Sequence, residues 1–172
     1  FNFQINTGNA VSSLGFGWGT ATWGQAQWGN ARSTSTTVIQ GANWSLDNWG
    51  EDLIATFHDG STYQWDASGG TGTRAARISN SPYLSRFSMV SVPDRHLICF
   101  GTQTTIGATG NQDDLYFRWA DQESLTDWTP VTTNTAGSLR VGDGSKLMGG
   151  VKSRGAMLIW TDSSIHGLQY IG

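Results

Sequence analysis

The chain alternates between short apolar runs and polar turns rich in Gly, Asp, Ser and Thr. No stretch carries the apolar i, i+3, i+4, i+7 stripe of an amphipathic helix, so the pattern predicts strands and little helix. Three pairs of apolar runs are each separated by turn residues. The pairs are residues 52–57 and 62–66, residues 96–101 and 115–119, and residues 156–161 and 165–171. The first pair, with its tight turn at residues 58–61, predicts a β-hairpin.

The three pairs are interpreted as repeats of one unit. When Leu53, Leu97 and Leu158 are aligned, the spacings are 44 and 61 residues, and inserted loops such as residues 126–138 account for the longer one. Repeats of about 40–50 residues with several short strands are typical of β-propeller blades. One small sheet buries both of its faces only between neighbours, which is why such units repeat.

Further strands complete this pattern. An apolar run precedes the second pair at residues 87–92, and another precedes the third at residues 147–151. The continuous apolar run around Cys99 predicts a strand covered on both faces, with the thiol buried. Cys99 is the only cysteine, which excludes an intramolecular disulfide.

The predicted fold class is all-β, with propeller-like blades of antiparallel strands. Residues 1–43 form a Gly/Trp-rich segment that packs on the blades, and residues 44–172 contain about three blades. Three blades do not close a propeller, for which four is the usual minimum. We therefore expect the chain to be a piece of a longer polypeptide that supplies the rest of the ring; an open array of sheets is the alternative. The blades are centred near residues 44–80, 85–130 and 138–172.

Tryptophan is the most unusual feature, with nine residues in 172. Three of them recur every five residues with Gly beside each, a spacing that fits neither a helix nor a strand and therefore indicates turns. Exposed indole faces stack on sugars or bases, whereas covered ones pack between blades or subunits; packing is the favoured interpretation. The candidate interface or stacking residues are Trp18, Trp23, Trp28, Trp44 and Trp49.

Charge excludes some functions. Charged residues make up 13% of the chain, the net charge is -3, and the ten Lys and Arg residues are scattered. The chain therefore lacks the basic patch that a sequence-specific nucleic-acid binder needs. No apolar stretch approaches the roughly 20 residues of a membrane span, so none is predicted.

Candidate catalytic and metal-binding residues are few. His58, His96 and His166 occupy different offsets in their repeats, and no cofactor or metal site is predicted. The sequence has no nucleophile elbow and no phosphate loop, which favours a protein that is not an enzyme. A glycoside hydrolase, the weakest of the functional alternatives, would use Asp121 and Glu123 as its paired carboxylates.

Other acidic residues are assigned to turns. Asp113 and Asp114, like Asp121 and Glu123, lie in turn-rich surroundings where solvated carboxylates and Asx turns are the usual finding. Asp59 and Gly60 faintly resemble the Asp box of sialidases, but the residue before Asp59 and the spacing differ. An Asp-Gly hairpin turn is therefore the preferred interpretation.

Several phrases of the sequence resemble a known family. They are residues 44–55, residues 118–123, and residues 127–130 followed by 134–137, together with the Gly-Trp segment at residues 17–29. They are similar to the nozzle or tail-tube proteins, also called stabilisation proteins, of short-tailed bacteriophages and related tail assemblies. The resemblance runs from about residue 16 to residue 172 and carries no catalytic signature.

The resemblance implies a β-propeller subunit in the virion. Such a subunit forms a homo-oligomeric ring, expected to be sixfold, below the portal and adaptor, and it meets other tail proteins. The ring extends the channel through which genomic DNA leaves the capsid. The alternative is a carbohydrate-binding propeller, either a lectin or a receptor-binding tail module, which would need open, concave exposure of Trp18, Trp23 and Trp28 beside Asp or Asn.

Overall fold

In a computed structural model of the chain, residues 43–92 and 94–169 are described. They belong to one compact unit. Its regular structure consists of β-strands, apart from one short 3-10 turn at Ala67–Gly69. The predicted all-β class is therefore confirmed for this part of the chain.

The strands form three small antiparallel sheets, one after another along the sequence, and in each the sheet order follows the chain order. Sheet 1 contains β1 (Trp44–Trp49), β2 (Asp52–Phe57), β3 (Thr62–Trp65) and β4 (Ala76–Arg77). Sheet 2 contains β5 (Phe87–Val90), β6 (Leu97–Phe100), β7 (Tyr116–Trp119) and β8 (Gly137–Arg140). Sheet 3 contains β9 (Leu147–Ser153), β10 (Ala156–Thr161) and β11 (Ile165–Leu168).

Each predicted pair of apolar runs is a pair of neighbouring strands. These pairs are β2 with β3, β6 with β7, and β10 with β11. The apolar runs before the second and third pairs are β5 and β9. The apolar pattern did not predict β1, β4 or β8, and residues 138–140, assigned above to the third blade, pair with β7 in sheet 2.

Sheet 2 is covered on both faces. All four residues of β6 are buried, as the continuous apolar run predicts. Successive side chains of a strand point to opposite faces. Leu97 and Cys99 accordingly join Ile54 of sheet 1 in one core cluster, whereas Ile98 and Phe100 join residues of sheet 3 in another.

Both core clusters lie between sheets. The cluster between sheets 1 and 2 consists of Ile54, Ile78, Val90, Leu97, Cys99, Ala120 and Trp128. The cluster between sheets 2 and 3 consists of Met89, Ile98, Phe100, Leu115, Phe117, Val141, Leu147, Met157 and Ile159. The burial of apolar side chains that stabilises this fold therefore occurs where one sheet packs against the next.

Buried hydroxyl groups also join sheets 1 and 2. Thr56 Oγ1 donates to Thr62 Oγ1 at 2.8 Å and lies 2.6 Å from Ser88 Oγ across the interface. The Cys99 thiol is 3.5 Å from Thr62 Oγ1. Burial raises the pKa of Cys99 to about 11, so the thiol stays protonated at neutral pH. Cys99 is buried, as predicted.

The alignment of the third repeat is out of register. Ile54 faces sheet 2 and Ile98 faces sheet 3. The preceding residues, Leu53 and Leu97, therefore point in the opposite direction, away from sheet 3. In sheet 3 it is Ile159 that faces sheet 2, so Leu158 points outwards. A shift of one residue reverses every side chain of a strand, so Leu158 is not equivalent to Leu53 and Leu97.

Replacing Leu97 by Ala will lower the free energy of unfolding by about 2–5 kcal/mol, because it leaves a cavity between sheets 1 and 2. Leu97 is 0% exposed. The matched control is Leu139→Ala at a position that is 56% exposed, where the change should stay within about 0.5 kcal/mol. Urea unfolding of both variants measures the difference, and equal losses would contradict the assigned core.

Candidate functional site

The first strands of the three sheets line one groove. β1, β5 and β9 each form a free edge of their sheet, and they face a shared space of about 580 Å³, here called the first-strand groove. Its lining is mixed, with carboxylate, ammonium and hydroxyl groups beside apolar side chains. The lining includes Asn43, Trp44, Ser45, Leu46, Asp47, His58, Arg86, Phe87, Ser88, Met89, Met148, Val151 and Lys152.

Side chains of β1 satisfy the open backbone edge of β5. Ser45 Oγ accepts a hydrogen bond from Ser88 N–H at 3.0 Å, and Asp47 Oδ2 accepts one from Val90 N–H at 2.7 Å. Ser45 and Asp47 are two residues apart, so they lie on the same face of β1 and meet alternate N–H groups of β5. Unpaired edge groups would otherwise be open to another chain.

Asp47 also reaches sheet 3. Its Oδ1 atom lies 2.5 Å from Lys152 Nζ of β9 and accepts from the neighbouring Asn48 N–H at 2.8 Å. A single carboxylate thereby connects the first strands of all three sheets. The strands also meet through Met89 and Gly150, since a Cβ atom added at Gly150 would lie 2.7 Å from Met89 Sδ. Sequence reasoning missed Asp47 and Lys152, because β1 was not recognised as a strand.

Arg86 lies at one end of the groove, and its charge is neutralised within the protein. Its Nε and Nη2 atoms donate to the two carboxylate oxygens of Asp114, at 2.9 and 2.7 Å. Asp59 lies 3.7 Å from the same guanidinium, and the His58 ring is within 3.3 Å. Bidentate pairing of this kind fixes the geometry of the arginine.

The five candidate tryptophans divide into described and undescribed positions. Trp44 is 54% exposed, lines the groove, and meets Phe57 edge-on at a centroid distance of 5.1 Å. Trp49 is five residues further along β1 and therefore on the opposite face, where it is half-buried against the cluster between sheets 1 and 2. The remaining three, Trp18, Trp23 and Trp28, lie outside the described residues.

The outward faces of sheets 1 and 3 are apolar. Alternation places Trp44, Leu46, Leu53, Phe57, Tyr63 and Trp65 together on the outer face of sheet 1. It places Val151, Leu158, Trp160 and Ile165 together on the outer face of sheet 3. Trp44, Leu46 and all four residues on sheet 3 are exposed. Contiguous apolar surfaces of this kind mark interaction sites in soluble proteins.

The acidic residues proposed for a glycoside hydrolase hold loops. Asp121 Oδ1 accepts from the backbone N–H and the hydroxyl of Thr135, at 2.8 and 2.6 Å, and these hydrogen bonds lower the pKa of Asp121. Glu123 pairs with Arg95 at 3.1 Å. Asp113 and Asp114 pair with different arginines, Arg140 and Arg86 respectively.

The three histidines occupy separate environments. His96 is buried with Nδ1 2.9 Å from the Ala120 carbonyl oxygen, and His166 Nε2 is 2.7 Å from Ser164 Oγ. In residues 43–92 and 94–169, no three His, Cys, Asp or Glu side chains come together as metal ligands. No helix within this same part of the chain is long and apolar enough to cross a bilayer.

Replacing Asp47 by Ala will lower the free energy of unfolding by about 2–3 kcal/mol, because it leaves the Val90 N–H without its charged acceptor. Asp47→Asn keeps an acceptor and will cost less. Lys152→Met will cost up to about 1 kcal/mol, since the ammonium is partly exposed. Glu51→Ala, at an exposed position, is the control. Urea unfolding measures the free energy of unfolding of each variant. If Lys152→Met lowers it as much as Asp47→Ala does, the predicted order is wrong.

Comparison with known proteins gives no match: no protein-family model, curated protein or solved structure corresponds to this chain.

Proposed function

We propose that the chain is a non-enzymatic structural subunit of a bacteriophage tail, and that sheets 1–3 are consecutive blades of an incomplete β-propeller. One observation carries the structural part of this proposal. The stack of three sheets ends in an apolar, exposed face on both sides, on sheet 1 and on sheet 3.

Sheet 2 is the reference for a completed blade. Its two faces are buried by its two neighbours, whereas sheets 1 and 3 each have only one face covered within the described residues. Repeated units of this kind are stable when each is covered on both sides. We therefore expect further sheets, from other chain segments or subunits, to cover the two free faces.

The placement of the first strands supports blades in particular. β1, β5 and β9 lie on one side of the stack around the first-strand groove. Propeller blades are arranged in this way, with their sheets disposed radially about a central channel.

The assignment to a phage tail rests on the family resemblance of the sequence. In this proposal the subunit forms a homo-oligomeric ring, expected to be sixfold, which meets the portal, the adaptor and other tail proteins in the virion. The ring surrounds the path of the genomic DNA. A net charge of -3 with scattered cations is compatible with such a wall, because a dense cationic lining would retain the polyanion.

Imaging of virions that carry an epitope tag at the β9–β10 turn tests the location. This turn is exposed at Arg154 and Gly155, so an insertion there leaves the cores intact. Antibody-labelled particles should show density on the tail axis below the portal. Label at the tip of a side appendage, or particles without label, would overturn the assignment.

Leu46→Asp and Ile165→Asp will each block assembly while the chain remains folded, because a carboxylate on an outer face cannot be buried against another sheet. Both side chains are exposed, so the Tm of the isolated chain should move by no more than about 2 °C.

The control is Leu139→Asp, which introduces the same charge at an exposed position of sheet 2. Incorporation into particles, measured by immunoblotting of purified virions, should be lost for the two outer-face variants and kept for the control. Normal incorporation of both outer-face variants would contradict the role of these faces.

A carbohydrate-binding module is the second candidate function, and one observation favours it. Trp44 exposes its ring at the first-strand groove beside Asn43. An open indole offers a stacking surface for a sugar ring, and a nearby amide can orient the bound ligand.

If the second candidate is correct, the chain will bind on a glycan array and Trp44→Ala will weaken that binding at least tenfold, which corresponds to about 1.4 kcal/mol of lost stacking. Trp160→Ala, at another exposed indole on the outer face of sheet 3, is the control and should bind normally. Absence of any bound glycan for the unaltered chain would eliminate this candidate.

A further inference from the structure

Sheet 3 has one strand fewer than the other two sheets. Sheets 1 and 2 each contain four strands, whereas sheet 3 contains three and, within the described residues, ends at β11. β4 and β8 occupy the fourth position in sheets 1 and 2. The corresponding position in sheet 3, beside β11, is open in this part of the chain.

The free edge of β11 carries unpaired backbone groups. The Thr161 N–H donates to the Ser164 carbonyl oxygen at 2.9 Å and so fixes which residues of the β10–β11 ladder are hydrogen-bonded. Hydrogen-bonded pairs recur at every second residue of an antiparallel ladder, so His166 bonds to β10 and its two neighbours do not. These neighbours, Ile165 and Gly167, direct their N–H and C=O groups away from β10. No side chain of the described residues bonds to these groups, in contrast to the edge of β5.

The other sheet edges are each protected. β1 carries Asp47 and β9 carries Lys152, and these two side chains form an ion pair. β8 carries the charged Arg140, and β4 has only two residues, of which one is Arg77. The outward N–H groups of β5 bond to side chains of β1. Charged side chains and very short strands prevent a sheet edge from pairing with another chain.

β11 has none of these protective features. Its four residues, Ile165–Leu168, include no Lys, Arg, Asp or Glu. Ile165 is 73% exposed. A Cβ atom added at Gly167 would have a single neighbour, Leu158 Cδ2, at 4.0 Å, so the described residues leave space beside this strand. An unprotected edge of this kind is a template for another strand.

We propose that β11 pairs with β11 of a second copy of this chain, in antiparallel orientation about a twofold axis. The occupant of an open edge has to supply backbone N–H and C=O groups, and β11 is the unprotected edge that a second copy offers within the described residues. The outward groups of Ile165 and Gly167 in each copy bond to those of the other. The second copy's strand thereby takes the place in sheet 3 that β4 and β8 take in sheets 1 and 2.

This pairing does not rest on the proposed tail function. It uses the edge of sheet 3 and leaves the outer faces of sheets 1 and 3 free. The two contacts can therefore be disrupted separately, by changes at the edge and by changes at an outer face.

Sedimentation velocity of the full chain tests the pairing. An edge of four residues buries little surface, so we expect a weak dimer with a dissociation constant of about 10 µM. The sedimentation coefficient should rise from that of a monomer to that of a dimer between about 1 and 100 µM. A chain that stays monomeric over this range would overturn the proposal.

Gly167→Pro locates the contact. Proline removes the outward N–H of residue 167 and leaves the hydrogen bonds between β10 and β11 in place, and edge strands tolerate it at such positions. It should weaken dimerisation at least about tenfold. Ser138→Pro is the matched control, since the Ser138 N–H points away from β7 at the edge of β8, and it should dimerise normally. Leu46→Asp, on the outer face of sheet 1, should also dimerise normally. A dimer that Gly167→Pro leaves unchanged would contradict the β11 contact.

Amide hydrogen exchange of the unaltered chain gives a test that requires no variant to fold. The Ile165 and Gly167 N–H groups should exchange rapidly in dilute solution and more slowly as the concentration rises, whereas the Ser138 N–H should exchange at one rate throughout. Slow exchange at every concentration would mean that a strand of the same chain covers this edge. Rapid exchange at every concentration would mean that the edge stays open, and either result would refute the dimer.

Discussion

The structure depends on one constraint: a sheet of short strands has two apolar faces, and each must be buried against a neighbouring sheet. Most of the strands have four to seven residues, and β4 has only two. A single sheet of such short strands buries too little apolar surface to be stable by itself. Both core clusters lie between sheets, and sheet 2 alone meets the constraint on both sides within the described residues. The buried β6 strand follows from this constraint, and the exposed outer faces of sheets 1 and 3 are where the described residues leave it unmet.

Stacking creates a second requirement at the strand edges. When β1, β5 and β9 come together on one side, the backbone groups of their free edges need partners. Ser45 and Asp47 provide these for β5, and Lys152 links the same carboxylate to β9. Polar residues at alternate positions of an edge strand thus serve the same purpose as strand pairing, while keeping the three sheets apart as separate units.

The sequence predicted the strands whose own side chains are apolar. In four strands, β2, β3, β6 and β10, apolar pattern and strand propensity agree. The sequence could therefore predict that these strands form and which strands they pair with. β1 was missed because its inward positions, Ser45 and Asp47, are polar, and they acquire a role only beside β5. The outward direction of Leu158 could not be predicted either. Which alternate residues of a strand face inwards depends on the sheet that covers it, and the sequence does not show this.

The bridge between Asp47 and Lys152 has a mechanical consequence. Sheets 1 and 3 are each attached to sheet 2 by a broad apolar core, but the contact between Asp47 and Lys152 that joins their first strands is ionic, and the ammonium is partly open to water. Ion pairs at such positions weaken as ionic strength rises. The direct link between the first strands of sheets 1 and 3 is therefore sensitive to salt, whereas the apolar cores that attach both sheets to sheet 2 are not screened.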